Sequence, residues 1–149
     1  MTAGLLLGLL ATFCTAIFAG AAIYINLVEH PARIELGTAA AVRQWRPSYR
    51  RATLVQASLA GAAFLSSLGA WLIERSIAVL AAGIAIGFVI PFTLIVIFPT
   101  NRQLEDPALD PGSLSTASLL AKWNRLHAVR SVASLLALVI QLLHLARII

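Results

Sequence analysis

A chain of 149 residues that is 60% hydrophobic and only 11% charged is not composed like a soluble domain, of which roughly half is apolar and a quarter charged. Its length allows about one domain, so residues 1–149 are expected to form a single unit. The formal charge of +5 does not point to nucleic acid, because the basic residues sit at the ends of apolar runs rather than on a soluble face.

Crossing a bilayer takes about 20 mostly apolar residues, since the hydrocarbon core is about 30 Å thick and a helix rises about 1.5 Å per residue. Four runs qualify. The first, residues 3–28, carries no charge. Its start resembles a secretory signal, but it lacks a basic leader and is too long, so it reads as a retained helix. Cys14 within it is the only cysteine; no internal disulfide is possible, and the residue reads as a small buried hydrophobe. The second run, residues 53–73, and the third, residues 77–98, are separated by Glu74-Arg75-Ser76, a link short enough to force an antiparallel hairpin. Pro91 is expected to kink the third helix, and Gly83-Ile-Ala-Ile-Gly87 permits close approach of a neighbour. The fourth run is residues 128–145, with a helix that starts earlier, near Ser115. The fold class is therefore all-α, an antiparallel four-helix bundle spanning a membrane.

Nine basic residues flank the two long links (Arg33, Arg43, Arg46, Arg50, Arg51, Arg102, Lys122, Arg125 and Arg130), against two, Arg75 and Arg147, on the other side. Positive residues favour the cytoplasm. Both long links, residues 33–48 and 100–122, are therefore expected there, with both termini periplasmic, in a bacterial inner membrane.

The polar side chains gather at that same end. In the first helix Asn26, Glu29, His30 and Arg33 are spaced to share one face of a continuous helix, although Pro31 disfavours helix at His30 and is expected to unwind the last turn. Tyr49, Thr53 and Gln56 share a face of the second. The third ends at Pro99-Thr100-Asn101. The fourth begins with a stripe of Asn124, His127 and Ser131, bordered by Arg130. Charged groups near apolar spans are costly unless they pair or face water. One reading is structural, with Glu29 and an arginine locking the helix ends and Trp45 and Trp123 serving as interfacial belt residues. The other is a polar pocket walled by apolar helices, a setting suited to a small lipophilic ligand. His144, at the opposite end, reads as isolated and structural or interfacial.

Glu29-His30-Pro31-Ala32-Arg33, Tyr49-Arg50-Arg51-Ala52 with Gln56, Pro99-Thr100-Asn101, and Trp123-Asn124 with His127 and Arg130 together resemble the anthrone oxygenase-like family of small four-helix membrane proteins. The resemblance covers most of the chain. It implies oxidation of a lipophilic, anthrone-type aromatic by molecular oxygen as co-substrate, without another cofactor. An anthrone has an acidic C–H beside an aromatic ketone, so a base and donors for the developing oxyanion are what the protein must supply. His127 or His30 is the candidate base, with Glu29 orienting it. Arg130, Arg33 and Asn124 are candidate oxyanion donors. Asn26, Tyr49, Gln56, Asn101 and Trp123 complete the expected substrate-binding set. Two other readings stand beside this one. Glu29, His30 and His127 supply the donor types for a transition metal, and a haem between the two histidines is conceivable. A transporter or membrane scaffold is the non-enzymatic reading, and a homo-oligomer is compatible with every one of these readings.

Overall fold

The structure is a computed structural model and describes residues 2–147; residues 1, 148 and 149 of the expected single unit lie outside the described ones. Among the described residues, four helices are long and apolar enough to cross a membrane: α1 (Ala3–Glu35), α2 (Thr38–Glu74), α3 (Ile77–Glu105) and α4 (Leu114–Ala146). Each packs on its neighbours in chain order, and α1 closes the ring against α4, while contact across the α2–α4 diagonal is slight. The chain is an integral membrane protein with an all-α, up-down bundle.

Packing follows membrane rather than soluble logic. Lipid is as apolar as leucine, so helices associate through close backbone approach and buried polar contacts. Ala11, Ala22, Ala60, Ala63, Ala82 and Ala137 fill the interior, while Phe13, Leu27, Leu65, Ile84 and Val132 face outward. A Cβ on Gly83 would stand 3.0 Å from Ser67 Cβ, and one on Gly87 only 2.5 Å from the Phe64 ring. Both glycines are therefore needed where α3 lies against α2.

The helices are longer than their apolar runs. At about 1.5 Å per residue, the 33 residues of α1 and of α4 reach about 50 Å, so one end of the bundle projects beyond a hydrocarbon core of about 30 Å. The link expected at residues 33–48 is for the most part helix. The chain turns at Leu36 and Gly37, where Gly37 has φ +83, in the left-handed region open to glycine. α2 starts at Thr38 and runs through Pro47. Arg43 and Pro47 lie on the exposed side of α2, where water can reach the Arg43 carbonyl left without its proline donor. At the end of α3, Arg46 donates to the backbone carbonyls of Leu104 (2.9 Å) and Asp106 (2.8 Å), satisfying acceptors the helix leaves open.

Two matching π turns precede the prolines at the projecting helix ends. Residues Ile25–Glu29 of α1 and Thr93–Ile97 of α3 wind as π-helix, each ending two residues before a proline, Pro31 and Pro99. The amides before those prolines bond five residues back, His30 N–H to the Ile25 carbonyl and Phe98 N–H to the Thr93 carbonyl. Widening the helix relieves the clash between a proline ring and the carbonyl four residues earlier. α1 is thus not unwound at Pro31, and the π turn of α3 begins two residues after Pro91, which itself lies within α-helix.

Candidate functional site

The four polar stripes meet at the projecting end. Asn26, in the π turn of α1, is the knot. Its Nδ2 donates to Asn124 on α4, to the backbone oxygen at 3.0 Å and to Oδ1 at 2.7 Å. A backbone oxygen only accepts, so the amide is fixed with Oδ1 turned the other way. That oxygen accepts from Ser131 Oγ at 2.5 Å and lies 2.9 Å from His127 Nδ1. A neutral His127 must therefore carry its proton on Nδ1, which leaves the Nε2 lone pair unused. His127 is 2% exposed, and it lines a cavity of about 30 Å³ together with Arg33, Trp45, Tyr49, Gln56 and Arg130. A cavity of this size holds one or two waters or a diatomic molecule.

The wall of this chamber is rich in unused donors. Arg130 donates from Nη2 to Gln56 Oε1 at 2.7 Å, and its guanidinium carbon stands 5.2 Å from the Phe18 ring centre. No carboxylate pairs with it among the described residues. Arg130 Nε, Gln56 Nε2, Arg33 Nε and Trp45 Nε1 are buried without partners. An unpaired buried donor costs roughly 1–3 kcal/mol. Four around one cavity favour an oxygen-bearing, electron-rich guest. Asn101, also in the wall, donates to Tyr49 Oη at 3.1 Å and leaves Oδ1 as a free acceptor.

Glu29 does not share the histidines' side of α1. Its Oε1 accepts from Arg33 Nη2, from Gln44 at 3.1 Å and from Ser48 at 2.9 Å. The π turn is the cause, because residues three apart in it no longer stack along one stripe, and Asn26 turns to α4 while Glu29 turns to α2. Glu29 lines an open groove between α1 and α2 rather than the chamber. The set Glu29, His30 and His127 does not converge, and no group of three His, Cys, Asp or Glu side chains is arranged for a metal among the described residues. His30 and His127 both lie against the Trp123 indole, at ring distances of 5.6 and 4.8 Å. The 30 Å³ cavity beside His127 is far too small for a macrocycle, and His30 does not line it.

Trp45 and Trp123 are not belt residues. Both are buried, their rings meeting edge to face at 5.7 Å, and Trp45 stacks on Tyr49 at 4.8 Å. The reason is the projection of the helices, which makes this depth an interior rather than an interface. Trp45 belongs to the Tyr49–Thr53–Gln56 stripe by helical spacing, a signal visible only once α2 is carried back past residue 49. Ser48 and Phe18 have no comparable signature. His144 is not isolated either. Its Nε2 is 2.9 Å from Glu74 Oε2 and its Nδ1 3.5 Å from Ser76 Oγ, tying α4 to the outer turn between α2 and α3.

No curated protein and no solved structure matches the chain. A family model described as anthrone oxygenase matches residues 45–140, from the chamber tryptophan of α2 through the whole His127 stripe of α4. That match spans well over half of the sequence, and the chain belongs to the anthrone oxygenase family.

Proposed function

We propose that this protein oxidises a small lipophilic aromatic of anthrone type with molecular oxygen as its sole co-substrate, using His127 as general base. The observation that carries the reading is that His127, its Nδ1 committed to Asn26, lines a small cavity whose other wall residues carry unpaired donors. His127 takes a proton from the CH₂ beside the aromatic rings. The negative charge delocalises onto the ketone oxygen, where Arg130 and Gln56 stabilise it. The electron-rich anion passes one electron to O₂, and the resulting pair combines as a carbon-bound peroxide. The peroxide takes back the proton held by His127, His127 then removes the second C–H proton, and cleavage of the O–O bond leaves a new ketone and hydroxide, which takes up that second proton to become water. Four electrons leave the carbon; one oxygen atom ends in the quinone and the other in water.

The test is oxygen uptake by purified protein in lipid nanodiscs supplied with anthrone. One O₂ consumed per anthraquinone formed, at a rate unaffected by chelators, is the expected result. A rate equal to that of protein-free nanodiscs would refute the oxidase reading.

We propose separately that the chamber lies on the cytoplasmic side of a bacterial inner membrane; the nine-to-two distribution of basic residues supports that orientation. Single cysteines at exposed Leu36 and Ala108, in a Cys14→Ser background, are expected to react with an impermeant maleimide only after the cytoplasmic face is opened. Labelling from the periplasmic side reverses the orientation.

A further inference from the structure

We propose that the apolar cavity between α2 and α3 is the seat by which the aromatic substrate enters sideways from the bilayer, and that Gln56 and Arg130 at its inner end grip the substrate's carbonyl oxygen. The inference rests on the oxidase reading and adds where the substrate sits and which atoms hold it. The cavity measures about 160 Å³ and is walled by Phe18, Ala57, Ala60, Val89 and Thr93. Its rim carries Leu94 and Phe98, both exposed on the outside of the bundle, where lipid lies. Tyr49, Thr53, Gln56 and Arg130 line it as well, and all four also line the His127 chamber, with the buried Gln56 on the interior side. The two spaces therefore adjoin, one apolar and opening toward lipid, the other polar and buried.

The chemistry at the junction selects the occupant. Gln56 is 5% exposed. Because an arginine only donates, its contact with Gln56 Oε1 turns the amide nitrogen away, and that nitrogen has no partner. Arg130 Nε is likewise buried and unpaired. A lipid acyl chain fills the apolar part but leaves both donors unsatisfied. A flat aromatic ketone lying along α4 fills the same space and brings one oxygen acceptor to both, with its CH₂ edge, across the central ring, toward His127 one turn from Arg130. The walls are built for a ring, since Ala57 and Ala60 of α2 present no bulk, and Thr93 of α3 bonds back to the Val89 carbonyl at 2.6 Å.

Binding can be read without turnover. Anthraquinone and anthracene share a shape, but only anthraquinone has the oxygen. Each is titrated into nanodiscs holding a Trp71→Phe variant, so that quenching reports Trp45 and Trp123 beside the chamber. Saturable quenching that favours anthraquinone is expected. Ala57→Phe, an exposed position on the cavity wall, should weaken anthraquinone about tenfold or more, as bulk in a ligand pocket does. Leu54→Phe, exposed and outside the cavity, should leave it unchanged. Gln56→Leu should remove about fivefold of the preference for anthraquinone over anthracene, the worth of one hydrogen bond. Unsaturable quenching, or equal affinity in Ala57→Phe and wild type, overturns the seat, and an unchanged preference in Gln56→Leu overturns the grip. If anthraquinone binds as described while anthrone is not oxidised, the oxidase reading falls and the seat stands. If anthrone is oxidised with an unchanged KM in Ala57→Phe, the oxidase reading stands and the seat falls.

Discussion

His127→Ala is expected to lower the rate of anthrone oxidation by about 10²–10⁴-fold, the usual loss on removing a general base, while leaving the bundle folded. The fold should survive because the knot around Asn26 does not depend on the imidazole. Asn26 keeps its two bonds to Asn124 and its bond from Ser131 when the ring is gone. The chemistry should not survive. His30 is also buried and its Nδ1 is unpaired, but it does not line the chamber and cannot take over. His144→Ala removes a contact at the far end of the bundle, and its turnover should stay close to wild type. Both variants are compared with wild type for oxygen uptake and for melting in detergent. A folded His127→Ala protein with undiminished turnover removes His127 from the mechanism.

The spans and their order were legible because an uncharged run of about 20 residues has few other readings, and the three-residue link at Glu74-Arg75-Ser76 fixed the hairpin. The gathering of polar groups at one end followed from antiparallel order alone. The helix ends were not legible. Arg43, Arg46 and Pro47 read as loop, yet helix continues through them because Pro47 lies on an exposed side and Arg46 is engaged by the end of α3. Trp45 was misjudged for that reason: a tryptophan in a loop at a membrane surface is a belt residue, and the same tryptophan on a projecting helix is core.

The direction of single side chains was the other blind spot. Helical spacing placed Asn26 and Glu29 on one face, and on a regular α-helix they would share it. The π turn separates them, and nothing in the run Ile25-Asn26-Leu27-Val28-Glu29 announces it. The cue lies downstream, in a proline two residues beyond the turn, and it recurs at Pro99 in α3. Two helices that end on the same side with the same device are more informative than either proline alone. The device also divides the labour at the site: one residue of the turn goes to the histidine of α4, and another goes to the mouth between α1 and α2.

That second residue carries the other large expected effect, which is on stability rather than rate. The Arg33 side chain is 3% exposed and its Glu29 partner 24%, so the two are not equivalent. Removing the arginine leaves a carboxylate that still has Gln44 and Ser48 as donors and water within reach. Removing the carboxylate leaves a guanidinium buried beside the chamber with no anion. Glu29→Gln is therefore expected to destabilise the protein more than Arg33→Met, by roughly 3 kcal/mol, the lower end of the range for breaking a buried pair because Glu29 is partly wet. The double variant Glu29→Gln with Arg33→Met should recover much of that loss, since it removes the stranded charge as well. Reversible unfolding in mixed micelles measures all three. Equal stability of Glu29→Gln and wild type would show that Arg33 finds its compensation elsewhere. A double variant as unstable as Glu29→Gln would show that the stranded charge is not what costs the protein its stability.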